Sequence, residues 1–170
     1  MTAAAPLDIP LHPDIEPIAF LLGDWSGGGH GDYPTITDFD YVEDVRFWHV
    51  GKPFVAYTQR TRAVDDGRPL HSEMGYFRSP PVENGPIVVE VVVSQPSGIQ
   101  EMLVGELRDR SVDLRSASIV GTPTAKRVDG TERSLSVDGD VLTYVMRMAA
   151  VGEGMGHHLT GELRRSSDPA

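Results

Sequence analysis

The chain predicts an all-β fold: an antiparallel β-barrel of about ten strands, preceded by a short N-terminal helix. Three observations lead there. Most of the sequence divides into short runs in which apolar and polar residues alternate with a period of two. Gly and Pro, at 18 and 13 of 170 residues, fall between those runs as punctuation rather than in one block. The connections are mostly hairpin-sized, too short for the crossovers that parallel strands need. An antiparallel sheet with so many strands curls, and closing it removes its edges. A two-sheet sandwich is the competing architecture, and near-continuous hairpin connectivity favours the barrel.

The elements follow in order. Residues 1–12 read as a flexible tail that includes His12. Ile15, Ile18, Leu21 and Leu22 form an apolar stripe at helical spacing behind Pro13-Asp14, with Pro17 near the first turn and Gly23 as the stop. This predicts a lid or plug of two or three turns. Next comes Gly23-Asp24-Trp25-Ser26-Gly27-Gly28-Gly29-His30-Gly31, a strand that alternating glycines allow to bend sharply, with Trp25 plugging one end of the barrel. Tyr41, Glu43, Val45, Phe47 and His49 form one alternating set in 41–50. Further strands are read at 54–62, 70–78, 87–94, 98–107, 111–120, 132–137, 141–149 and 158–165. Asp65-Asp66-Gly67 and Asp138-Gly139-Asp140 are tight-turn signals between neighbours.

Composition excludes several function classes. The chain has no cysteine, so disulfides, thiolate metal sites and cysteine nucleophiles are absent. Its formal charge of −10 opposes phosphate backbones and anionic headgroups, so neither nucleic acid nor a membrane is expected as a partner. No run is long enough to span a bilayer as a helix. The N-terminus lacks the basic and apolar regions of a secretory signal, which makes the cytoplasm the expected location. At 170 residues the chain reads as one domain, 1–170. An outward face carrying Val88 and Val92 is compatible with a homodimer.

Familiar catalytic patterns are missing. The Gly-rich segment lacks the Lys-Ser/Thr and the strand-to-helix context of a phosphate loop. Ser26 has no base in sight and no nucleophile-elbow context. No carboxylate spacing marks a general-acid pair.

Several segments resemble the nitrobindin family. Gly23-Asp24-Trp25-Ser26-Gly27-Gly28-Gly29-His30-Gly31-Asp32-Tyr33-Pro34-Thr35-Ile36 is similar to its signature, in which Gly23, Trp25, Gly27 and Gly29 are the motif positions. Residues 47–54, Phe-Trp-His-Val-Gly-Lys-Pro-Phe, are similar to its second strand pair. Residues 70–76, Leu-His-Ser-Glu-Met-Gly-Tyr, are similar to the hairpin that follows. His158-Leu159-Thr160-Gly161-Glu162-Leu163-Arg164-Arg165 is similar to its last strand. The resemblance covers roughly residues 15–165.

The resemblance implies a small barrel, similar in outline to fatty-acid-binding proteins, that holds one haem b. It implies a ferric protein that binds nitric oxide and isomerises peroxynitrite to nitrate, with the iron as the catalytic group and an apolar, water-poor distal wall. It selects His158 as the axial haem ligand. Alternation alone objects, because Leu159 and Leu163 should face inward and His158 outward; a bulge entering the last strand removes the conflict. The Gly-rich approach 151–156 is flexible enough for one. His157 is left as a surface residue or an alternative ligand. His49 and His71, in strand-like runs, read as hydrogen-bonded or cavity-lining residues, and His30 as a variable position among glycines.

Haem carries two propionates, which an acidic protein must meet with a local cation. Gly121-Thr122-Pro123-Thr124-Ala125-Lys126-Arg127 also resembles a loop of the family, and its Lys126 and Arg127 are the candidates, while Thr35 offers a hydroxyl next to a Pro-stiffened turn. The alternative function is a non-enzymatic carrier of a fatty acid or another small apolar ligand. Such a carrier should offer inward arginines and no iron ligand.

Overall fold

The computed structural model describes residues 9–166. Ten antiparallel strands close into a barrel in which every strand pairs with its sequence neighbours and the first pairs with the last. They are β1 (Gly23–Gly31), β2 (Phe39–Trp48), β3 (Val55–Ala63), β4 (Pro69–Arg78), β5 (Ile87–Gln95), β6 (Ile99–Arg108), β7 (Ser111–Gly121), β8 (Val128–Asp138), β9 (Val141–Ala150) and β10 (Gly156–Arg165). Among the described residues no sheet edge remains open, and the sandwich is excluded. Both tight turns fall where the sequence puts them: Gly67 and Gly139 adopt φ of 71° and 56°, a region that costs glycine little.

The closing seam explains the Gly-rich strand. β1 pairs with β10 from Trp25↔Arg165 to Gly31↔Leu159 and with β2 from Gly23↔Phe47 to Gly31↔Phe39. A Cβ on Gly29 would lie 2.2 Å from the Thr160 carbonyl oxygen and 2.5 Å from the Tyr41 ring. Bare backbone at this position therefore lets an aromatic ring lie directly on the seam.

The predicted helix is a 3₁₀ helix, Pro13–Leu21. Its buried residues are Ile15, Ile18 and Leu21, and a strict spacing of three suits three residues per turn better than an α-helical stripe does. His12 is its N-cap and accepts a 3.2 Å bond from the Asp14 amide. Within the expected N-terminal tail, His12 thus serves as the cap of this helix. Residues 1–8 of that expected tail lie outside the described residues.

The helix plugs one end of the barrel together with Trp25. The Trp25 indole donates to the Leu21 carbonyl at 2.8 Å. Phe47, Val55, Phe77, Val89, Leu103, Val112, Leu142 and Leu163 join them in one buried cluster. Outside the barrel, Tyr76, Val92 and Met102 share one register row across β4, β5 and β6 and are exposed; Val88 is half-buried. No helix among the described residues is long and apolar enough to cross a membrane.

Candidate functional site

The end opposite the plug opens into a cavity of about 670 Å³. The alternation of the strands decides what lines it, since every second side chain points inward. Around the mouth stand Phe39, Ile99, Ile119, Met146, Met148 and Leu159, an apolar rim. Thr35, Lys126 and Arg127 also line the mouth and are exposed there. Arg127 is paired with Asp129 at 2.6 Å, whereas Lys126 has no ion-pair partner among the described residues. Of the two cations beside each other in sequence, Lys126 is thus the less committed.

His158 lines the cavity as well. The register of β10 against β9 shifts between His157↔Arg147 and Leu159↔Met146, which makes His158 the extra, bulged residue. That bulge is what allows His158 and Leu159, adjacent in sequence, both to face the interior. The His158 ring is held from behind. Its Nδ1 meets the Asp32 carbonyl oxygen at 3.3 Å, and the Tyr33 ring packs edge-on with centroids 5.4 Å apart. A carbonyl can only accept, so Nδ1 carries the hydrogen and Nε2 keeps its lone pair. Nε2 has no hydrogen-bond partner among the described residues. Burial lowers the His158 pKa, with the Asp32 carbonyl opposing, so the neutral, ligating form is favoured near neutral pH.

Tyr33 is itself bolted in place. Its hydroxyl accepts from the Ala150 amide at 2.8 Å and donates to the Ala150 carbonyl at 3.2 Å.

The other histidines lie elsewhere or are engaged. His49 follows the end of β2, where its Nδ1 accepts from the Gly51 amide at 3.3 Å. His30 is exposed and bonded to Asp40 at 2.8 Å, a contact that raises its pKa. His71 does line the cavity, with Nε2 3.5 Å from the buried Glu73 carboxylate. His157 is exposed on the outer side of the bulge, bonded to the Asp32 carboxylate and, through Nε2, to the Thr160 hydroxyl at 2.6 Å.

Between mouth and plug lies a feature that differs from the expected apolar wall. Glu43, Gln59, Glu73, Glu101, Thr131 and Arg133 form a polar belt inside the barrel. Arg133 donates to Glu73 at 2.5 Å and to Glu101 at 2.7 Å, and Thr131 adds a bond to Glu101. Tyr57 donates to Glu73 at 2.8 Å. On the other side Glu43 accepts from Gln59 at 2.6 Å and from Tyr144 at 2.7 Å, and the Tyr144 and Tyr41 hydroxyls are 2.5 Å apart.

The electrostatics of the belt are uneven. Burial pushes Glu43 up to about 7, against its two hydrogen bonds. Burial would raise Glu73 too, but the Arg133 guanidinium holds it well below the usual carboxylate range. For Glu101 burial prevails over Arg133 and the pKa rises.

Sequence reasoning missed this belt, although a signal existed. Glu43 belongs to the same alternating set as Tyr41, Val45 and Phe47, and Glu101 shares a face with Ile99 and Leu103. The three carboxylates come from three strands, so no local spacing could mark them as a group.

A family model described as the THAP4-like, heme-binding beta-barrel domain matches residues 14–165. A Nocardia farcinica protein named peroxynitrite isomerase is 48% identical over 161 residues, covering 92% of this chain and 94% of its own. A Mycobacterium marinum protein named peroxynitrite isomerase 2 is 49% identical, covering 92% of this chain and 98% of its own. The crystal structure of Rv2717c from M. tuberculosis matches with a TM-score of 0.83 and 46% identity, covering 92% of this chain and 99% of that one.

Proposed function

The chain belongs to the THAP4-like heme-binding β-barrel family, the nitrobindins, and from that premise we propose that it is a ferric haem b protein that isomerises peroxynitrite to nitrate and binds nitric oxide. One observation carries the reading: a half-buried imidazole faces an otherwise suitable cavity with its Nε2 free and its Nδ1 fixed by the Asp32 carbonyl. That is how protein imidazoles are prepared for iron, with an outer acceptor setting the tautomer.

The residues fit the group. His158 would hold the iron, the apolar rim would line the haem site, and Lys126 with Thr35 would meet the propionates, one haem per chain. Bound haem would supply the iron at which peroxynitrite is converted to nitrate and nitric oxide is bound. The chain supplies the rest. Asp32 and Tyr33 orient the His158 ring. Phe39, Ile99, Ile119, Met146 and Met148 give the mouth an apolar lining beside the exposed Thr35, Lys126 and Arg127. Deeper in, Tyr144 donates to Glu43, whose pKa burial raises to about 7. Small anions and gases are the partners this implies, with the cytoplasm as the location and no nucleic acid or membrane involved.

The polar belt weighs against the lipid carrier. An anionic headgroup needs an available inward arginine, and the barrel does have one. Arg133, however, is already occupied by Glu73 and Glu101. A fatty-acid carboxylate would meet carboxylates already in place.

Hemin titration of the apoprotein tests the reading. The wild-type chain is expected to bind one equivalent and develop a Soret band, and His158→Ala to lose the band or bind far more weakly. An unchanged band and dissociation constant in His158→Ala would show that the axial ligand lies elsewhere, with His71 the next histidine in the cavity.

A further inference from the structure

We infer that His157, on the outer surface of the barrel, is a positioning residue for the haem site, acting on His158 through the Asp32 carboxylate. The inference rests on the reading of His158 as the axial ligand.

The bulge creates the need. His158 is the residue of β10 that has no partner on β9, so the ladder that fixes its neighbours does not fix it. On the other side, the regular pairing of β1 with β10 ends at Gly31↔Leu159. What holds His158 is Asp32, the next residue of the chain. The Asp32 amide donates to the His158 carbonyl at 3.0 Å, and the Asp32 carbonyl receives the His158 ring at 3.3 Å. Both the backbone and the ring of the ligand therefore refer their position to one residue.

Asp32 is past the end of its own strand, so something must in turn hold it. From the strand side, Tyr33 anchors the following residue to the end of β9 through Ala150. From the outer side, His157 bonds the Asp32 carboxylate through Nδ1. The His157 ring is braced again at Nε2 by the Thr160 hydroxyl, 2.6 Å away. The two adjacent histidines thus grip the same aspartate, one by its side chain and one by its carbonyl. The segment entering β10 gives little help: Val151 and Gly152 have φ of 50° and 91°, and 151–155 are exposed.

The contact is exposed, so its loss should cost little global stability. It should cost ligand geometry instead, as loss of an outer partner at a metal-binding imidazole typically does, at about 10–100-fold in affinity. A residue that only filled surface would behave otherwise.

The test is hemin titration of the apoprotein for His157→Ala, His157→Asn, Asp32→Ala, the double Ala variant and His158→Ala, with thermal melts of each. His157→Ala should weaken hemin binding about tenfold and shift or broaden the Soret band while the melting temperature stays close to that of wild type. His157→Asn should restore affinity to within about threefold, because its amide nitrogen stands where Nδ1 stood. The double variant should lose no more than the worse single variant, the mark of two residues acting as one unit. In the apoprotein, the Asp32 amide should exchange its hydrogen faster in His157→Ala. If His157→Ala binds hemin as wild type does while His158→Ala has lost it, His158 is the ligand and His157 does not position it. If His158→Ala keeps an unchanged band, the ligand reading falls and this inference falls with it.

Discussion

The Arg165 guanidinium lies 4.0 Å from the centroid of the Trp25 ring and caps the closed end of the barrel. The same group donates to the carbonyls of Leu22 and, at 3.0 Å, Phe20, which the 3₁₀ helix leaves unsatisfied at its C-terminal end. Nε reaches Asp140 at 3.2 Å in the turn between β8 and β9. One side chain thus ties the last strand to the plug, the signature tryptophan and a neighbouring hairpin.

Arg165→Lys should therefore not be conservative. Lysine keeps the charge and loses the planar stacking and the fork that reaches two carbonyls at once. We expect a loss of about 1–2 kcal/mol in unfolding free energy, the scale of a partly desolvated cation–π contact plus one hydrogen bond. Urea denaturation measures it, and a midpoint equal to wild type would show that the charge alone suffices.

Glu43 gives the apoprotein a stability that falls with rising pH. Its folded pKa of about 7 lies above the roughly 4.3 of an unfolded glutamate. Below the unfolded value both states hold the proton and the contribution is complete. Between the two values only the folded chain keeps it, so stability declines by about 1.4 kcal/mol per pH unit for this group. Above about 7 the contribution is gone. Glu101, also raised, acts with the same sign, and Glu73, depressed, acts oppositely only in more acidic solution. Glu43→Gln should flatten the decline between pH 5 and 7 and stabilise the barrel at pH 8. An unaltered profile in urea midpoints would remove Glu43 as its source.

Lys126 is exposed at the mouth and unpaired among the described residues, so its effect on hemin should be modest and screened. Lys126→Ala should weaken binding about fivefold at low ionic strength, with the difference fading toward 0.5 M salt, roughly where the Debye length falls to a few ångströms. Equal dissociation constants for the two proteins at low salt would separate Lys126 from the propionates.

Much of this architecture was legible in the sequence, because it rests on local rules. A period of two specifies strands, Asp-Gly turns specify hairpins, and a cysteine-free acidic chain restricts the chemistry available to it. The Tyr41–Phe47 alternation marks one buried face correctly, and the Gly-Trp motif marks the seam and the plug. The bulge at His158 was inferable only with the family resemblance, which turns His158 inward beside an inward Leu159; alternation alone would leave that histidine outside.

Closure of the barrel decided the rest, because it joins residues that are remote in the chain. Glu43, Glu73 and Glu101 stand on three different strands, and only closure sets them around Arg133 and Tyr144 in one low-dielectric interior, where burial and the neighbouring charges move their pKa values in opposite directions. Asp32 lies 125 positions before His157 and was silent in the sequence; pairing of β1 with β10 brings it against both histidines. Which way a side chain points follows from the period of its own strand, but what it meets there depends on strands far away in sequence.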